Sequence, residues 1–321
     1  MKDTLIGWCH HTINFWLGCN RVDTAECEGC YAEAQMTLRG KNFNVLRPTR
    51  GAWYDAERLN ASAKARNAHE LVFTCSLSDF FHQGADIWRE EAWDVIRRCR
   101  NLIWLILTKR PQRILDHLPK DWDEGRGYPH VWLGATCGTK ESFGRVDELK
   151  KIPCALRFLS CEPLLVDISE IDLQGIGWVL CGGMSGSLHK DRSMDLRWAA
   201  ALYQTARSAG VPFLFKQVSH NLTERGINAL SLLLAQYSGK PADPETVDCI
   251  RQYPKLAVPF TPPSPKGVRW TTEDWTKYLR TNRERCVNPV PTRAEGWDSA
   301  DLPGMCCGGS STDRAATLRA G

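Results

Sequence analysis

The chain lacks the features that would place it in a membrane or outside the cell. No apolar run among its 321 residues approaches the ~18 that a spanning helix requires. Residues 1–12 contain no apolar h-region, so no signal peptide is expected and the setting is read as cytoplasmic. Strong charge of one sign is missing too: 41 basic against 37 acidic residues leave +4, which permits a nucleic-acid partner without arguing for one. Sequence repeats with a period of ~20–50 residues and long low-complexity tracts are absent, which excludes solenoids. A composition of 43% hydrophobic and 24% charged residues, with 13 Trp, is that of a globular chain with a sizeable core.

Cysteine is what the chain has in excess. Fourteen thiols in a chain this long do not make a disulfide-stapled mini-domain, and they are not evenly spread. In a reducing compartment, clustered Cys point to metal or redox chemistry. Cys75, Cys99, Cys154 and Cys181 lie in apolar stretches and read as buried small hydrophobes.

Short apolar runs recur at residues 71–74, 102–107, 131–134, 156–159, 178–180 and 211–215. Continuous runs of this kind suit strands buried on both faces, the habit of parallel sheets. Helical periodicity fills the gaps. Over 86–100 the positions Ile87, Trp88, Ala92, Val95, Ile96 and Cys99 share one helix face, and a second helix over 196–209 stops at Gly210. Alternating strands and helices imply successive βα units, with a first strand near 12–17. The runs close in polar or small residues, the end of a βα strand that carries active sites: Ser76, Ser78 and Asp79; Thr108, Lys109 and Arg110; Thr136; Ser160 and Glu162; Gly182, Gly183 and Ser185; Lys216 and Gln217. Helix N-capping explains any one of them equally well. Beyond residue 254, frequent Pro and ten basic against seven acidic residues mark an extension, with one short helix near 273–283.

The strongest chemical motif is Cys19, Cys27 and Cys30 followed by Tyr31, a C-x7-C-x2-C-Y spacing. Three thiols on one short loop suit a structural zinc, with Cys9, His10 or His11 as fourth ligand. They equally suit a [4Fe–4S] cluster whose fourth iron stays open. Spacing alone leaves both readings standing.

Several ordered blocks together narrow the choice. They are Gly18-Cys19, Cys27-x-x-Cys30-Tyr31-Ala32-Glu33, Ser76-x-Ser78-Asp79-x-Phe81-His82, Leu107-Thr108-Lys109-Arg110-Pro111, Arg157-Phe158-Leu159-Ser160-x-Glu162-Pro163-Leu164-Leu165, Trp178-Val179-x-x-Gly182-Gly183-x-Ser185-Gly186 and Phe215-Lys216-Gln217. From about residue 10 to 220 the chain resembles a phage- and prophage-encoded family of radical S-adenosylmethionine (radical SAM)-like proteins. Two departures are visible. The superfamily's usual C-x3-C-x2-C is not met, and Met184 stands where the family usually has Glu in Gly-Gly-Glu-Ser-Gly.

The resemblance implies an α/β fold, a partial (β/α)6 barrel of radical SAM type over residues 1–225, with a C-terminal extension over 226–321. It implies a [4Fe–4S] cluster on Cys19, Cys27 and Cys30 and SAM cleaved to a 5′-deoxyadenosyl radical; Cys306 and Cys307, adjacent in a tail of flexible composition, are not expected to contribute. Ser76, Ser78 and Asp79 are the expected acceptors for the SAM ammonium, and Lys109 or Arg110 the cation for its carboxylate. Thr136, Ser160 and Glu162 are further expected contacts, with Gly182 and Gly183 letting backbone approach the adenine or ribose. His82 and His189 read as structural. The expected substrate is a nucleotide or nucleic acid: a hypermodified base such as a thymidine derivative, or a damaged base. Trp270, Trp275 and Tyr278 interleave with Lys266, Arg269, Lys277, Arg280, Arg283 and Arg285, as in a single-strand contact. An electron donor such as flavodoxin or ferredoxin, or a chemical reductant, completes the set. The competing readings are a zinc-stabilised nucleic-acid-binding protein and a catalytically silent partner subunit.

Overall fold

A computed structural model of the chain describes residues 4, 6–122, 126–185, 192–218, 230, 233–234 and 250–255. The expected helix near 273–283, the aromatic and basic tail, His189 and the Cys306–Cys307 pair lie outside these residues.

Each of the six apolar runs forms a strand. They are β4 (Glu70–Thr74), β5 (Leu102–Thr108), β6 (Val131–Thr136), β7 (Leu156–Cys161), β8 (Trp178–Gly182) and β9 (Phe213–Gln217). The expected first strand divides in two. β1 (His11–Ile13) joins the sheet, whereas β2 (Trp16–Leu17) turns away to pair antiparallel with β3 (Arg47–Pro48). The main sheet therefore has seven parallel strands in the order β1-β4-β5-β6-β7-β8-β9. It curls into a half-barrel, one strand more than the expected six-unit form.

Strand order follows chain order without reversal, so every crossover steps the same way. Right-handed crossovers then keep all helices on one face. The core clusters agree. Residues from α2 (Ala52–Ala65), α3 (Asp86–Arg98), α4 (Phe143–Lys150) and α5 (Leu196–Ser208) pack with Ile13, Val72, Ile106, Leu133, Leu159 and Val179. The alternate strand residues Leu71, Phe73, Leu105, Trp132, Phe158, Trp178 and Leu214 form a second cluster with Trp8 and Cys9, and no helix contributes to it. This second cluster is the concave floor. It is tightly filled: a Cβ on Gly134 would stand 2.4 Å from the Phe158 ring.

The helical expectations hold in outline. The segment expected over 196–209 is α5, with Gly210 beyond its end at φ +66. The segment over 86–100 is α3, with one correction to its buried face. Ile87 is 77% exposed, and Arg89 and Trp93 point inward instead. Arg89 donates to Phe80 O at 3.0 Å and His82 O at 2.7 Å and pairs with Asp86 at 2.6 Å, a network that apolar periodicity cannot register. Helical regularity also lapses between strands: β5 leads to β6 through short 3-10 turns, and β7 leads to β8 without a helix. On the far edge, Arg251 bridges antiparallel to Leu214, and the Tyr253 ring packs at a tilt against Trp178, centroids 5.4 Å apart. The sheet's last edge is covered by chain from beyond residue 225. No helix among the described residues is long and apolar enough to cross a membrane.

Candidate cofactor site at the strand ends

The loop carrying the three thiols runs from β2 to α1 (Tyr31–Leu38) and sits over the C-terminal ends of the strands. Gly18 begins it in the left-handed region at φ +97, where a Cβ would stand 2.6 Å from Val45 O. Ser78 Oγ donates to Gly18 O, and the Cys19 N–H donates to Phe43 O at 2.8 Å. Ala25–Cys27 forms a 3-10 turn; Gly29, at φ +64, then bends the chain so that Cys30 becomes the N-cap of α1. All three thiols are half-buried.

Asp79 and Arg110 brace this loop from the ends of β4 and β5. Asp79 is buried, and its carboxylate is shared among four donors: the Phe81 N–H at 2.9 Å, Thr108 Oγ1 at 2.7 Å, the Lys109 N–H at 3.0 Å and Arg110 Nη1 at 3.2 Å. Arg110 reaches on to the loop, with Nη1 3.7 Å from Cys19 Sγ and Nη2 2.6 Å from Asn20 O. The guanidinium thus spans a buried carboxylate and the first thiol. Burial and the Asp79 charge push the Cys19 thiol up to about 11, against the opposing pull of Arg110. Ser76 is taken up by Asn14, whose amide donates to Ser76 Oγ at 3.2 Å, while Ser76 O accepts from the Tyr31 hydroxyl. His82 Nδ1 faces the Gly84 N–H at 2.9 Å and its Nε2 the Asn20 N–H of the loop at 3.2 Å, and burial followed by Arg110 keeps the ring's pKa low.

A second tier lines the concave face just above the aromatic floor. Side chains alternate along a strand, so Thr136 follows Trp132 and Gly134 inward, and Ser160 follows Leu156 and Phe158. Glu162 comes next. Lys216 Nζ donates to its Oε1 at 2.5 Å and Gln217 Nε2 at 3.4 Å, joining the ends of β7 and β9. The Glu162 carboxylate also bears electrostatically on Tyr31, the residue after Cys30. Gly182 and Gly183 are tied into the backbone: Gly182 O accepts from the Leu164 N–H at 2.9 Å, and the Gly183 N–H donates to Gln217 O at 2.9 Å. Met184 is buried beside them.

Sequence reasoning missed Glu26. Its side chain is 0% exposed, inside the thiol loop, and takes hydrogen bonds from Ser142 Oγ and from the Gly138 N–H at 3.1 Å. Arg145 pairs with the same oxygen at 3.3 Å. Burial alone would raise this carboxyl's pKa, but the Ser142 hydroxyl and the Arg145 cation outweigh it and hold it below the ordinary value. Glu26 latches the loop to the connection after β6, although nothing in its local sequence distinguishes it from an exposed loop acid. Asn14 was missed for the same reason, whereas Lys216 was read as a strand-end polar residue without a role.

Among the described residues, no group of three or more His, Cys, Asp or Glu, the three loop thiols included, stands close enough together to hold a metal ion. The donor set fits an iron–sulfur cluster in kind: three half-buried thiols on one loop, with an arginine against the first. It fits a four-ligand zinc site less well. Cys9 is in the floor, the His10 ring accepts from the Leu71 N–H at 2.9 Å, and His11 pairs with Glu70 at 3.0 Å. All three expected fourth ligands are therefore committed toward the opposite end of the sheet. No curated protein and no solved structure matches the chain. Residues 3–257 match the family described as "Protein of unknown function (DUF5131)", and the chain belongs to that family.

Proposed function

We propose that this chain is a radical SAM enzyme acting on a nucleotide or nucleic-acid base. The observation that carries the reading is a single loop with three half-buried thiols over the C-terminal ends of a parallel half-barrel, with Arg110 at the end of β5 against the first of them. A [4Fe–4S] cluster on Cys19, Cys27 and Cys30 would supply an open iron for SAM and the electron that cleaves it to methionine and a 5′-deoxyadenosyl radical.

The chain's own residues do the rest. Arg110 offsets the negative charge of thiolates at the first ligand, and Asp79 fixes Arg110 in place as a positioning residue. With its carboxylate shared among four protein donors, Asp79 is a poor acceptor for the SAM ammonium. Lys109 and the inner tier of Thr136, Ser160 and Glu162 are the groups left to meet SAM and substrate, and the Ser76 and Ser78 hydroxyls, bonded to Asn14 and Gly18, keep a lone pair to accept with. Lys216 and Gln217 both bond Glu162 Oε1, which leaves Oε2 to face an incoming N–H or O–H donor. The backbone of Gly182 and Gly183 closes that side. The floor of Trp8, Trp132, Phe158 and Trp178 excludes water from beneath. The nucleic-acid class rests on the sequence resemblance and on the basic tail.

The test is anaerobic purification with iron, sulfide and zinc analysis, followed by incubation of the reduced protein with SAM. Iron and acid-labile sulfide with release of 5′-deoxyadenosine are expected. Stoichiometric zinc without iron would move the chain to the nucleic-acid-binding reading. Bound iron without SAM cleavage would move it to the partner-subunit reading.

A further inference from the structure

Between Ala34 and Tyr54 the chain carries Arg39, Lys41, Arg47 and Arg50 and not one acidic residue. Among the described residues none of these four enters an ion pair, whereas Arg21, Arg58 and Arg66 on either side are paired with Glu33, Asp55 and Glu70. The Nε and Nη2 atoms of Arg47 are buried without any partner. Four positive charges therefore stand uncompensated on a short stretch of a chain whose whole net charge is +4. The same stretch holds large exposed apolar side chains: Leu38 at 88%, Val45 at 51% and Tyr54 at 69%.

This surface lies directly against the thiol loop. The Cys19 N–H donates to Phe43 O at 2.8 Å, and Val45 O is what a Cβ on Gly18 would strike. A partner seated on residues 38–54 would be separated from the first thiol by a single layer of backbone.

We propose that residues 38–54 form the docking surface for an acidic protein that carries a one-electron redox group. The inference rests on the reading of the thiol loop as a redox centre. Exposed apolar chains interspersed with unpaired cations on one stretch are the makings of a protein interface, which combines apolar and charged contacts. The uncompensated charge selects an acidic partner and speeds its approach. A nucleic acid would use the charge but not Leu38 and Val45.

The experiment titrates the full-length chain into a fluorescein-labelled flavodoxin, an acidic FMN protein, and follows anisotropy. The triple variant Arg39→Glu/Lys41→Glu/Arg50→Glu should bind at least ~10-fold more weakly at low salt, because rim charges control approach and attraction. Raising sodium chloride from ~50 to ~300 mM should weaken the wild type far more than the variant. Leu38→Ser/Val45→Ser should weaken binding at both salt concentrations. Thermal melts of all variants confirm folding. In the iron-loaded protein, the charge variant should be reduced slowly by flavodoxin hydroquinone and at the wild-type rate by dithionite. Equal flavodoxin binding by wild type and charge variant would overturn the proposal. So would binding of a single-stranded oligonucleotide, lost in the variant, with no flavodoxin binding. A chain that holds no iron would instead defeat the redox reading itself, while the anisotropy arm still decides the surface.

Discussion

Two groups of three cysteines stand at the same end of this sheet, and almost everything about their surroundings differs. Cys19, Cys27 and Cys30 are half-buried on a loop punctuated by left-handed glycines. Cys137, Cys161 and Cys181 are fully buried at the ends of β6, β7 and β8, within the helix-side core. Cys161 and Cys181 are register partners, and the Cys137 N–H donates to Ser160 O at 3.0 Å, so the strand ladder sets their separations. Burial pushes the Cys137 thiol up to about 12 and raises Cys161 well above its ordinary value. Glu26 links the two groups, since it sits in the loop and its charge bears on both Cys137 and Cys161. The comparison teaches that the number of thiols at a strand end is no guide to their chemistry. A ligand has to be able to lose its proton and move, and the inner three can do neither cheaply.

The largest effect should separate the groups outright. Replacing Cys19, Cys27 and Cys30 with Ala should remove all bound iron and the broad absorbance near ~400 nm typical of thiolate-ligated clusters. Replacing the inner three with Ala should leave iron content unchanged and lower only the melting temperature. Iron retained by the loop variant, or lost from the inner one, would reverse the assignment. Next in size is Glu26→Gln. It leaves the Arg145 cation buried without its charge partner, a change that typically destabilises by about 3–5 kcal/mol. The carboxyl's folded pKa lies below its unfolded value of ~4.3, so its contribution is complete above that pH and is lost as pH falls through the folded pKa. Melting temperatures of wild type and variant should therefore diverge most near neutrality and converge below pH ~4. A gap that stays constant down to low pH would show that the effect is packing and not charge.

What was legible in the sequence was what repeats. Six apolar runs gave six strands because a parallel strand buried on both faces has no room for polar interruption. Thr136 and Ser160 were readable only as polar residues at strand ends; that they face inward came from the register of the sheet. The seventh strand was blurred because β1 and β2 are two short pieces either side of a turn, in which Asn14 accepts from the Leu77 N–H at 2.8 Å. The inward turn of Arg89 in place of Ile87 was illegible for a different reason. Its partners are carbonyls of Phe80 and His82, fixed by a loop that local periodicity does not encode. Asp79 was read as a ligand contact, whereas its four donors come from residues 81, 108, 109 and 110, a convergence visible only once β4 and β5 lie side by side.

The geometry of the thiol loop can be sharpened at Gly18. Gly18→Ala places a side chain in the left-handed region and within 2.6 Å of Val45 O, which is backbone and cannot swing away. A cost of about 1–3 kcal/mol is expected from the strain. The loop should shift with it, lowering iron occupancy along with stability, whereas Gly144→Ala, in open space on α4, should leave iron occupancy unchanged and raise stability by up to ~1 kcal/mol. Equal behaviour of the two variants would mean that the loop does not depend on the tight turn.

The smallest effect probes a single proton. The thiolate is the form that reacts with iodoacetamide, so below its pKa a thiol labels about tenfold faster for each unit of pH. With Cys19 pushed up to about 11 by burial and Asp79, its labelling in the metal-free protein should climb steadily from pH 7 to 9. The inner thiols should stay unlabelled until the chain unfolds, because burial denies them the reagent as well as the charge. Arg110→Ala removes the cation 3.7 Å from Cys19 Sγ, and with it the interaction that favours the thiolate. Cys19 should then label more slowly at every pH in this range, read by peptide mass spectrometry against the other thiols. A Cys19 rate that is flat between pH 7 and 9 would mean that the thiolate is already formed, and that Arg110 dominates over burial at Cys19.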